Sequence, residues 1–399
     1  MTTLWLAVLL GQLGGYLRFE AYVQTQDPYA LQKLATTFQS RLDLEGDRVH
    51  GYGAFNVIFD ALQGRPLLRP IEGYVTASVG AVDLTVGRRI LTWGEGVFVS
   101  PSDVVTPWNF TFLYTDLEEF REGVETVSLT YYRGLLWFQA AVLPWFRPNQ
   151  YPLEPFRIPS LTFEPDSAIL PSPSLKNAGL LARWGGTWGP LDFQVFVYRG
   201  YDPDFNLRVW ERDPDAWLVP VYHRTTFYGG NGVWIHGNRA LHVDLMYRGK
   251  PENHQENDLV KGAQVYLAVG GEASSWNDQI HGGVDFLYRK TWPQATPGIP
   301  AAMEALAREF FFEEPEGAWY TAYRFQWKDA RELWHLQVMG IYDWSHQEAF
   351  TLPSLTYSLA DGVHLRWGAL LSDTKGKSPF TQIGKHVGNL VFTEVRWSF

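Results

Sequence analysis

The chain has 399 residues, no cysteine, and 33 Lys and Arg against 43 Asp and Glu, which gives a formal net charge of −10. The absence of cysteine excludes disulfide scaffolds, thiolate catalysis and Cys-ligated metal sites. Net acidity argues against a nucleic-acid binder, which needs a basic surface to neutralise phosphates. Aromatic residues make up 16% of the chain and charged residues only 19%, a composition that disordered chains do not have.

The N-terminal segment is apolar. Residues 1–14 read MTTLWLAVLLGQLG, a run about as long as the apolar region of a signal peptide. No Lys or Arg precedes the run, and no small-residue cleavage site is evident. We expect residues 1–14 to be a possible signal peptide or its remnant, with an early first strand as the alternative. Residues 15–399 are then a single domain, and no later run is long enough for a membrane-spanning helix.

Polar and apolar residues alternate along most of the chain. In Arg239–Arg248, for example, Leu241, Val243 and Leu245 fall on one face and His242 and Asp244 on the other. A period of two predicts β-strands with one apolar face. Eighteen segments show this pattern, near residues 16–25, 33–45, 48–60, 71–80, 82–92, 123–133, 135–145, 177–187, 190–200, 224–236, 239–249, 259–271, 279–290, 318–328, 333–345, 351–359, 362–373 and 388–399.

The connections between these segments alternate in length. Tight turns such as 45–47 and 189–190 alternate with long stretches at 93–122, 147–176, 201–223 and 291–317. Short turns at one end and long loops at the other are typical of outer-membrane barrels. The sequence therefore predicts an all-β fold, a transmembrane antiparallel β-barrel of about 18 strands (16–18), with short periplasmic turns and long extracellular loops.

The C-terminal strand carries a family resemblance. It alternates up to a terminal Phe399, and this ending resembles the assembly signal of bacterial outer-membrane β-barrels. The resemblance implies a bacterial outer-membrane location, a lipid bilayer as partner, and contact with the outer-membrane assembly machinery. Trp319 and Trp327 share a face eight residues apart, or about 26 Å along a strand. With Trp397 and Phe399, they are expected to form aromatic girdles at the membrane boundaries.

A second resemblance lies in residues 87–107. The segment GRRILTWGEG at 87–96 is followed by SPSDVVTP at 100–107. It is similar to a segment of poorly characterised outer-membrane porin-like proteins, in which a strand G-R-Q-x-I-x-W-G leads into a loop carrying P-x-D and N-P. Arg89 departs from the Gln of that pattern, and Thr106 departs from its Asn. The resemblance implies membership of a porin-like family and leaves the solute open.

Two of the long connections have features of their own. Loops as long as 93–122 are usually functional or disordered, and we expect this one to fold into the lumen as a constriction loop. The alternative is an external loop that covers the barrel mouth. Its candidate residues are Trp93, Glu95, Asp103, Trp108 and Asp116. The loop 291–317 contains a helical pattern at 301–312, predicted to be an external cap or a partial plug.

Charged residues recur on the face opposite the apolar one. An Arg or Lys facing lipid at the membrane midplane costs about 2–4 kcal/mol, so charges confined to one face indicate a wet lumen. Opposed charges across a lumen can select solutes, although they can also simply pair with one another. The predicted pore-lining residues are Arg18, Glu20, Arg41, Asp43, Arg88, Asp192, Asp244, Arg248, Arg324, Arg366, Glu394 and Arg396.

No enzyme motif is evident. The chain has no G-x-S-x-G elbow, no H-E-x-x-H helix and no Walker loop, and Gly229–Gly232 is not followed by a helical pattern. We expect no enzyme activity, no cofactor and no metal, although Ser128 or Ser358 beside a histidine leaves an outer-membrane hydrolase open. The leading hypothesis is a porin for passive diffusion of small hydrophilic solutes, which can also form an oligomer. The alternative is a plugged binding or surface-assembly barrel.

Overall fold

A computed structural model describes residues 10–25, 30–62, 64–94, 96, 100–111, 116–152, 156–158, 161–212, 215–275, 277–295, 301–311, 313–372 and 389–399. Eighteen strands form one closed antiparallel barrel, in which each strand pairs with the next along the chain and the last pairs with the first. These strands are β1 Leu10–Gln24, β2 Ala30–Glu45, β3 Val49–Asp60, β4 Arg65–Val79, β5 Val82–Arg89, β6 Val124–Arg133, β7 Leu136–Leu143, β10 Gly179–Trp188, β11 Leu191–Tyr201, β14 Arg224–His236, β15 Arg239–Arg248, β17 Ala263–Ser274, β18 Ile280–Trp292, β19 Ala318–Lys328, β20 Trp334–Asp343, β21 Glu348–Ala360, β22 Val363–Ser372 and β23 Leu390–Ser398.

The apolar face of each strand lies on the outside of the barrel. On β15, Leu241, Val243 and Leu245 are about half exposed, whereas the intervening Asp244 is buried. A soluble barrel would bury the apolar side chains and expose the charge. The reversed arrangement is that of a barrel surrounded by lipid, and the predicted transmembrane fold and its eighteen strands are confirmed.

Short turns close one end of the barrel. Gly134, Gly189 and Gly237 have φ values near +60°, a left-handed conformation that glycine adopts without steric cost. The chain returns there within a few residues, while the other end carries the long connections, including residues 90–123 and 144–178. We call these the short-turn end and the long-connection end.

A second, smaller sheet lies in the long connections. Its five strands are β8 Phe156–Ile158, β9 Leu161–Phe163, β12 Asn206–Arg212, β13 Asp215–Val221 and β16 Asp258–Leu259. They lie in the order β16, β12, β13, β9, β8, and within this sheet only β9 and β13 are parallel. The sequence prediction missed this accessory sheet because several of its strands have only two or three residues, too few to show alternation.

One helix packs on the accessory sheet. The helix α1, Ala301–Phe310, buries Ala307 in a cluster with Phe163, Leu207 and Leu218, and Met303 packs against the same cluster. The helix predicted within 291–317 is therefore present. It contacts the accessory sheet rather than projecting away from the barrel.

The first strand begins within the predicted signal segment. Leu10–Gly14 pair with β2 and belong to β1, so the barrel reaches further toward the N-terminus than the boundary predicted at residue 15. Residues 1–9 lie outside the described part of the chain.

Candidate functional site: a loop that crosses the lumen

The connection between β5 and β6, residues 90–123, runs inside the barrel, and we call it the crossing loop. Its first half is attached to three inward-facing polar residues: Gln194 on β11, Asn231 on β14 and Asp244 on β15. These three are register partners on adjacent strands and form one continuous polar row. The row presents donors and an acceptor to the loop at a single height in the lumen.

Each member of the row bonds to the loop backbone or to a serine. The side-chain amides of Gln194 and Asn231 both donate to the backbone oxygen of Trp93. The hydroxyls of Ser100 and Ser102 both donate to the Asp244 carboxylate. Because Asp244 is buried, these hydrogen bonds replace water that the carboxylate would otherwise need. Asp244 therefore holds the loop and is not a freely exposed lumen charge.

The Trp93 side chain anchors the same half of the loop. Its ring is buried and lies 4.9 Å from the ring of Phe196, and the Arg183 guanidinium lies 5.1 Å from its centroid. The Asp103 carboxylate accepts the backbone N–H of Trp93 at 2.8 Å and pairs with Arg121 at 2.6 Å. Asp103 thus ties the beginning of the crossing loop to its end.

The second half of the loop carries two carboxylates to another wall. Arg18 on β1 donates to both carboxylate oxygens of Glu119, at 2.7 and 2.8 Å. Arg366 on β22 donates to Asp116 at 2.7 Å, and Arg396 on β23 lies 3.9 Å from the other Asp116 oxygen. Burial raises the pKa of Asp116, but the charge of Arg366 and its hydrogen bond outweigh burial and leave that pKa below its ordinary value.

The two attachment points lie on opposite sides of the barrel. Counted around the closed sheet from β1, β14 is the tenth barrel strand and β23 the eighteenth, so eight of the eighteen strand steps separate them. The crossing loop therefore spans the lumen from wall to wall. The described residues of the loop contact inward-facing side chains of both walls, and that the loop constricts the lumen stays a prediction.

Like charges face each other on the wall that receives Asp116 and Glu119. Arg18 and Arg396 are register partners on β1 and β23, and Glu20 and Glu394 are partners in the next row of the same face. Like charges directly opposite each other in a sheet are destabilising unless other groups neutralise them. Glu119 supplies the counter-charge for Arg18, and Lys33 supplies one for Glu20 at 2.6 Å.

The other predicted pore-lining residues also lie on the inner face, with one exception. Arg41 bonds to Gln39, and Asp43 lies 2.8 Å from His50, both toward the short-turn end. Asp192, Arg248 and Arg324 complete the predicted inward set. Arg248 pairs with the buried Asp202, and Arg324 pairs with Glu272.

Arg88 is the exception. It shares a face with the exposed Leu84 and Val86, and its register partner on β6 is Glu125, on the face of the exposed Val127. Arg88 therefore lies on the outer surface at the long-connection end, and its neighbour in sequence, Arg89, faces the lumen. The alternation in this short strand could be counted from either arginine, and a shift of one residue reverses every facing assignment.

The four girdle residues lie on the outer face. Trp319, Trp397 and Phe399 are each about half exposed, and Trp327 is exposed to a smaller extent. Trp319 begins a barrel strand at the long-connection end, whereas Trp327 and Trp397 lie at the short-turn end. Of the predicted loop residues, Trp108 stacks under the Arg121 guanidinium at 4.5 Å, and Glu95 lies outside the described residues.

One serine–histidine pair is present. Ser358 Oγ lies 3.2 Å from His364 Nδ1 on neighbouring strands. A Ser–His nucleophile needs a third group to orient the imidazole, and within the described ranges no carboxylate bonds to His364; its register partner on β23 is Arg396. Ser128 is buried on the inner face, with Ala141 of β7 opposite. The described residues also contain no group of three side chains suited to hold a metal ion.

Sequence reasoning missed several residues of the site. The sequence does not single out Asn231, which lies within the glycine-rich segment Gly229–Gly232, or Ser100 and Ser102 of the long loop. Their signal lay in position: Asn231 occupies an inward register position next to Gln194, and the serines precede the Asp103 that closes the loop. Only the strand pairing shows that these positions meet.

Comparison with known proteins gives likeness in fold only. No protein-family model matches the sequence, and no curated protein matches it. Among solved structures, the chain is similar to Pseudomonas aeruginosa OccK2 (OpdF), at a TM-score of 0.56 and 10% identity over 98% of this chain and 97% of that one. It is also similar to P. aeruginosa OccK11 (OpdR), at 0.55 and 11% over 98% and 96%, and to Acinetobacter baumannii OccAB2, at 0.54 and 12% over 98% of each. OccK2 has also been solved in complex with glucuronate. The chain therefore shares with these outer-membrane proteins the fold of a closed, antiparallel β-barrel.

Proposed function

We propose that the protein is a porin through which small hydrophilic solutes diffuse passively, and that the crossing loop narrows the path and sets its charge preference. The observation that carries the proposal is the direct contact of Asp116 and Glu119 with Arg366 and Arg18. A loop held at both walls of a barrel leaves solutes only the space beside it. The charges that line this space then act at short range.

The charge pattern supports a preference for anionic solutes. Arg18 and Arg366 engage loop carboxylates, while Arg183, Arg89 and Arg41 face the lumen on the side from which the loop arises. Guanidinium groups bind carboxylates through charge-assisted hydrogen bonds, and one nitrogen of Arg18 donates to both carboxylate oxygens of Glu119. OccK2, which shares the fold, holds glucuronate in one structure. We infer that small carboxylates are among the solutes.

The plugged-barrel alternative makes a different prediction. In that case the crossing loop and the accessory sheet would close the lumen, and the barrel would bind partners without passing solutes. Liposome swelling distinguishes the two. Liposomes that contain the refolded protein are placed in isotonic arabinose, in a disaccharide or in sodium gluconate, and the swelling rate is recorded.

A porin predicts swelling that falls with solute size and is faster in gluconate than in a neutral solute of similar size. The matched control is the Glu118→Gln variant, because the Glu118 side chain is largely exposed and pairs only with Arg121 of its own loop. This variant is expected to behave as the unmodified protein does. Swelling no faster than that of protein-free liposomes, from a folded barrel, would contradict the proposed function.

A further inference from the structure

The outer surface carries a cationic cluster at the long-connection end of β5 and β6. Arg88 donates to Glu125 at 2.6 and 3.0 Å and to the backbone oxygen of Pro70 at 3.0 Å. Arg147, from the connection after β7, donates to the same Glu125 at 2.7 and 2.9 Å. Two guanidinium groups thus share one carboxylate on a face that otherwise presents apolar side chains to lipid.

The cluster stands at the edge of the apolar surface. Arg88 is the next-to-last residue of β5, and Glu125 is the second residue of β6. Leu84, Val86 and Val127 lie further along the same faces toward the short-turn end and are 45%, 48% and 42% exposed. An arginine at the membrane midplane would be costly, but near the interface that cost largely disappears. The cluster therefore lies at the depth of lipid head groups.

A cavity adjoins the cluster and adds to its positive charge. It has a volume of about 330 Å³ and is lined by Arg69, Arg88, Arg147 and Glu122 together with neutral residues. Arg69 pairs with Glu122 at 3.4 Å, so three arginines face the two carboxylates Glu122 and Glu125. The volume is about ten times the share of one water molecule in the liquid, which is room for a phosphate group.

Another outer-face arginine forms a one-to-one ion pair with no net charge. Arg199 on β11 pairs with Glu252 alone, at 2.7 Å, and its side chain is 57% exposed. That site contains one guanidinium and one carboxylate. The cluster of Arg88 and Arg147 differs from it in holding a second guanidinium and an adjoining cavity.

We propose that Arg88 and Arg147 bind the phosphate group of an anionic membrane lipid in the leaflet at the long-connection end. Guanidinium groups match phosphate oxygens with paired, charge-assisted hydrogen bonds. The apolar face below the cluster, which includes Leu84 and Val86, lies where the acyl chains of the same lipid would pack. The site takes a lipid rather than free phosphate, because the apolar contacts add to the charge. Arg88 and Glu125 lie on the outer face of the barrel, so this inference does not depend on conduction.

Native mass spectrometry of the refolded, full-length protein in a non-ionic detergent tests the proposal. Dioleoyl phosphatidic acid is titrated, with dioleoyl phosphatidylcholine and inorganic phosphate as the other probes. Phosphatidic acid is expected to bind. The Arg88→Gln/Arg147→Gln variant should bind it at least about tenfold more weakly, since a hydrogen bond to a charged group contributes about 1.5–3 kcal/mol. The Arg199→Gln control should bind it as the unmodified protein does.

Glu125 competes with a lipid phosphate for the two arginines, so replacing it should strengthen lipid binding. Glu125→Gln leaves both arginines in place and is expected to bind phosphatidic acid more tightly, which also decides the matter if the double variant does not fold. Unchanged or weaker binding in Glu125→Gln would overturn the proposal. So would equal binding by the double variant and Arg199→Gln, equal binding of phosphatidylcholine, or displacement of the lipid by inorganic phosphate at equal concentration.

Discussion

Arg366 donates a 2.7 Å hydrogen bond to Asp116, a residue 250 positions away in the sequence. Through this contact, the end of the crossing loop meets the wall opposite the one to which Asp244 attaches its beginning. The barrel strands place Arg366 beside Arg396 and Arg18, and the loop adds two carboxylates to those of the wall, where Glu20 lies 3.3 Å from Arg18 and Glu394 is the register partner of Arg366. The ion pairs that hold the loop in position are therefore the same ones that balance the lumen charges.

Replacing Asp116 with Asn should increase anion selectivity. The change removes one negative charge from the narrowed part of the lumen and leaves Arg366 and Arg396 available to solutes. A unit charge a few ångströms from the path is worth up to about 1 kcal/mol in water, so the ratio of anion to cation permeability should rise about two- to fivefold. The measurement is the zero-current potential across a bilayer in a KCl gradient.

The control for this variant lies two residues away. Glu118→Gln removes the same charge from the same loop. The Glu118 side chain is 78% exposed and pairs with Arg121 rather than with Arg366. It should shift the zero-current potential much less than Asp116→Asn does. Equal shifts would mean that only net charge matters, and the contact between Asp116 and Arg366 would lose its assigned role.

The contribution of Asp116 should persist at mildly acidic pH. Burial raises the pKa of Asp116, but Arg366 outweighs it, and the pKa ends below its ordinary value of 3.8. A carboxyl group with a lowered pKa stabilises the folded state above its unfolded pKa, and that stability is lost as pH falls through the lowered value. The selectivity difference between the unmodified protein and Asp116→Asn should therefore be constant from pH 7 to about pH 5 and be lost only as the pH falls through the lowered pKa. A difference that titrates between pH 5 and pH 7 would be inconsistent with this contact.

The anchored half of the crossing loop depends on a glycine. A β-carbon at Gly94 would lie 1.3 Å from Ser100 Oγ and 2.6 Å from an Asp244 carboxylate oxygen. Gly94→Ala must therefore displace the hydrogen bonds between Ser100 and Asp244, and overpacking of this kind costs about 1–3 kcal/mol. We expect frequent brief current fluctuations and proteolytic cleavage within the crossing loop.

Gly73→Ala is the matched control, since no atom lies within 4 Å of a β-carbon at that position on β4. It should conduct as steadily as the unmodified protein. If Gly94→Ala also gives a quiet, protease-resistant channel, the attachment to Asp244 does not hold the loop in place.

The accessory sheet is tied to the barrel by a buried charge. Lys261 lies 2.8 Å from the Asp202 carboxylate and donates to the backbone oxygen of Asp204 at 2.8 Å, and all three residues lie at the long-connection end. Removing one partner of a buried ion pair typically costs about 3–5 kcal/mol. Lys261→Met should therefore increase hydrogen exchange in β12 and β13 while the barrel stays folded. Lys250→Met, at an exposed position, should leave exchange unchanged; equal exchange in both variants would contradict the tie.

The sequence predicted the barrel better than the lumen. Alternation over ten or more residues, as in Arg239–Arg248, identifies a strand because the lipid-facing side must be apolar, whereas the side that faces a wet lumen accepts polar residues. All eighteen barrel segments were predicted in this way. The strands β8, β9 and β16 have only two or three residues each, and their pairing depends on contacts between distant loops, which local periodicity does not report.

The site was predicted in part. Asp103 and Asp116 were assigned to an inward loop, and Arg18, Arg366 and Arg396 to the lumen, but their pairing depends on a register that the sequence does not fix. Arg88 shows the consequence, because a shift by one residue in β5 exchanges it with Arg89. The roles of Ser100 and Asn231 require the three-strand row that only the folded barrel assembles.

Single-channel recording of the refolded protein in a planar bilayer, under a KCl gradient, tests the central claim most directly. The claim predicts stable, stepwise conductance with an anion-selective zero-current potential, and a clear change in that potential when Asp116 and Glu119 are replaced by Asn and Gln. A folded barrel that gives no conductance steps, or whose selectivity is the same after both replacements, would contradict it.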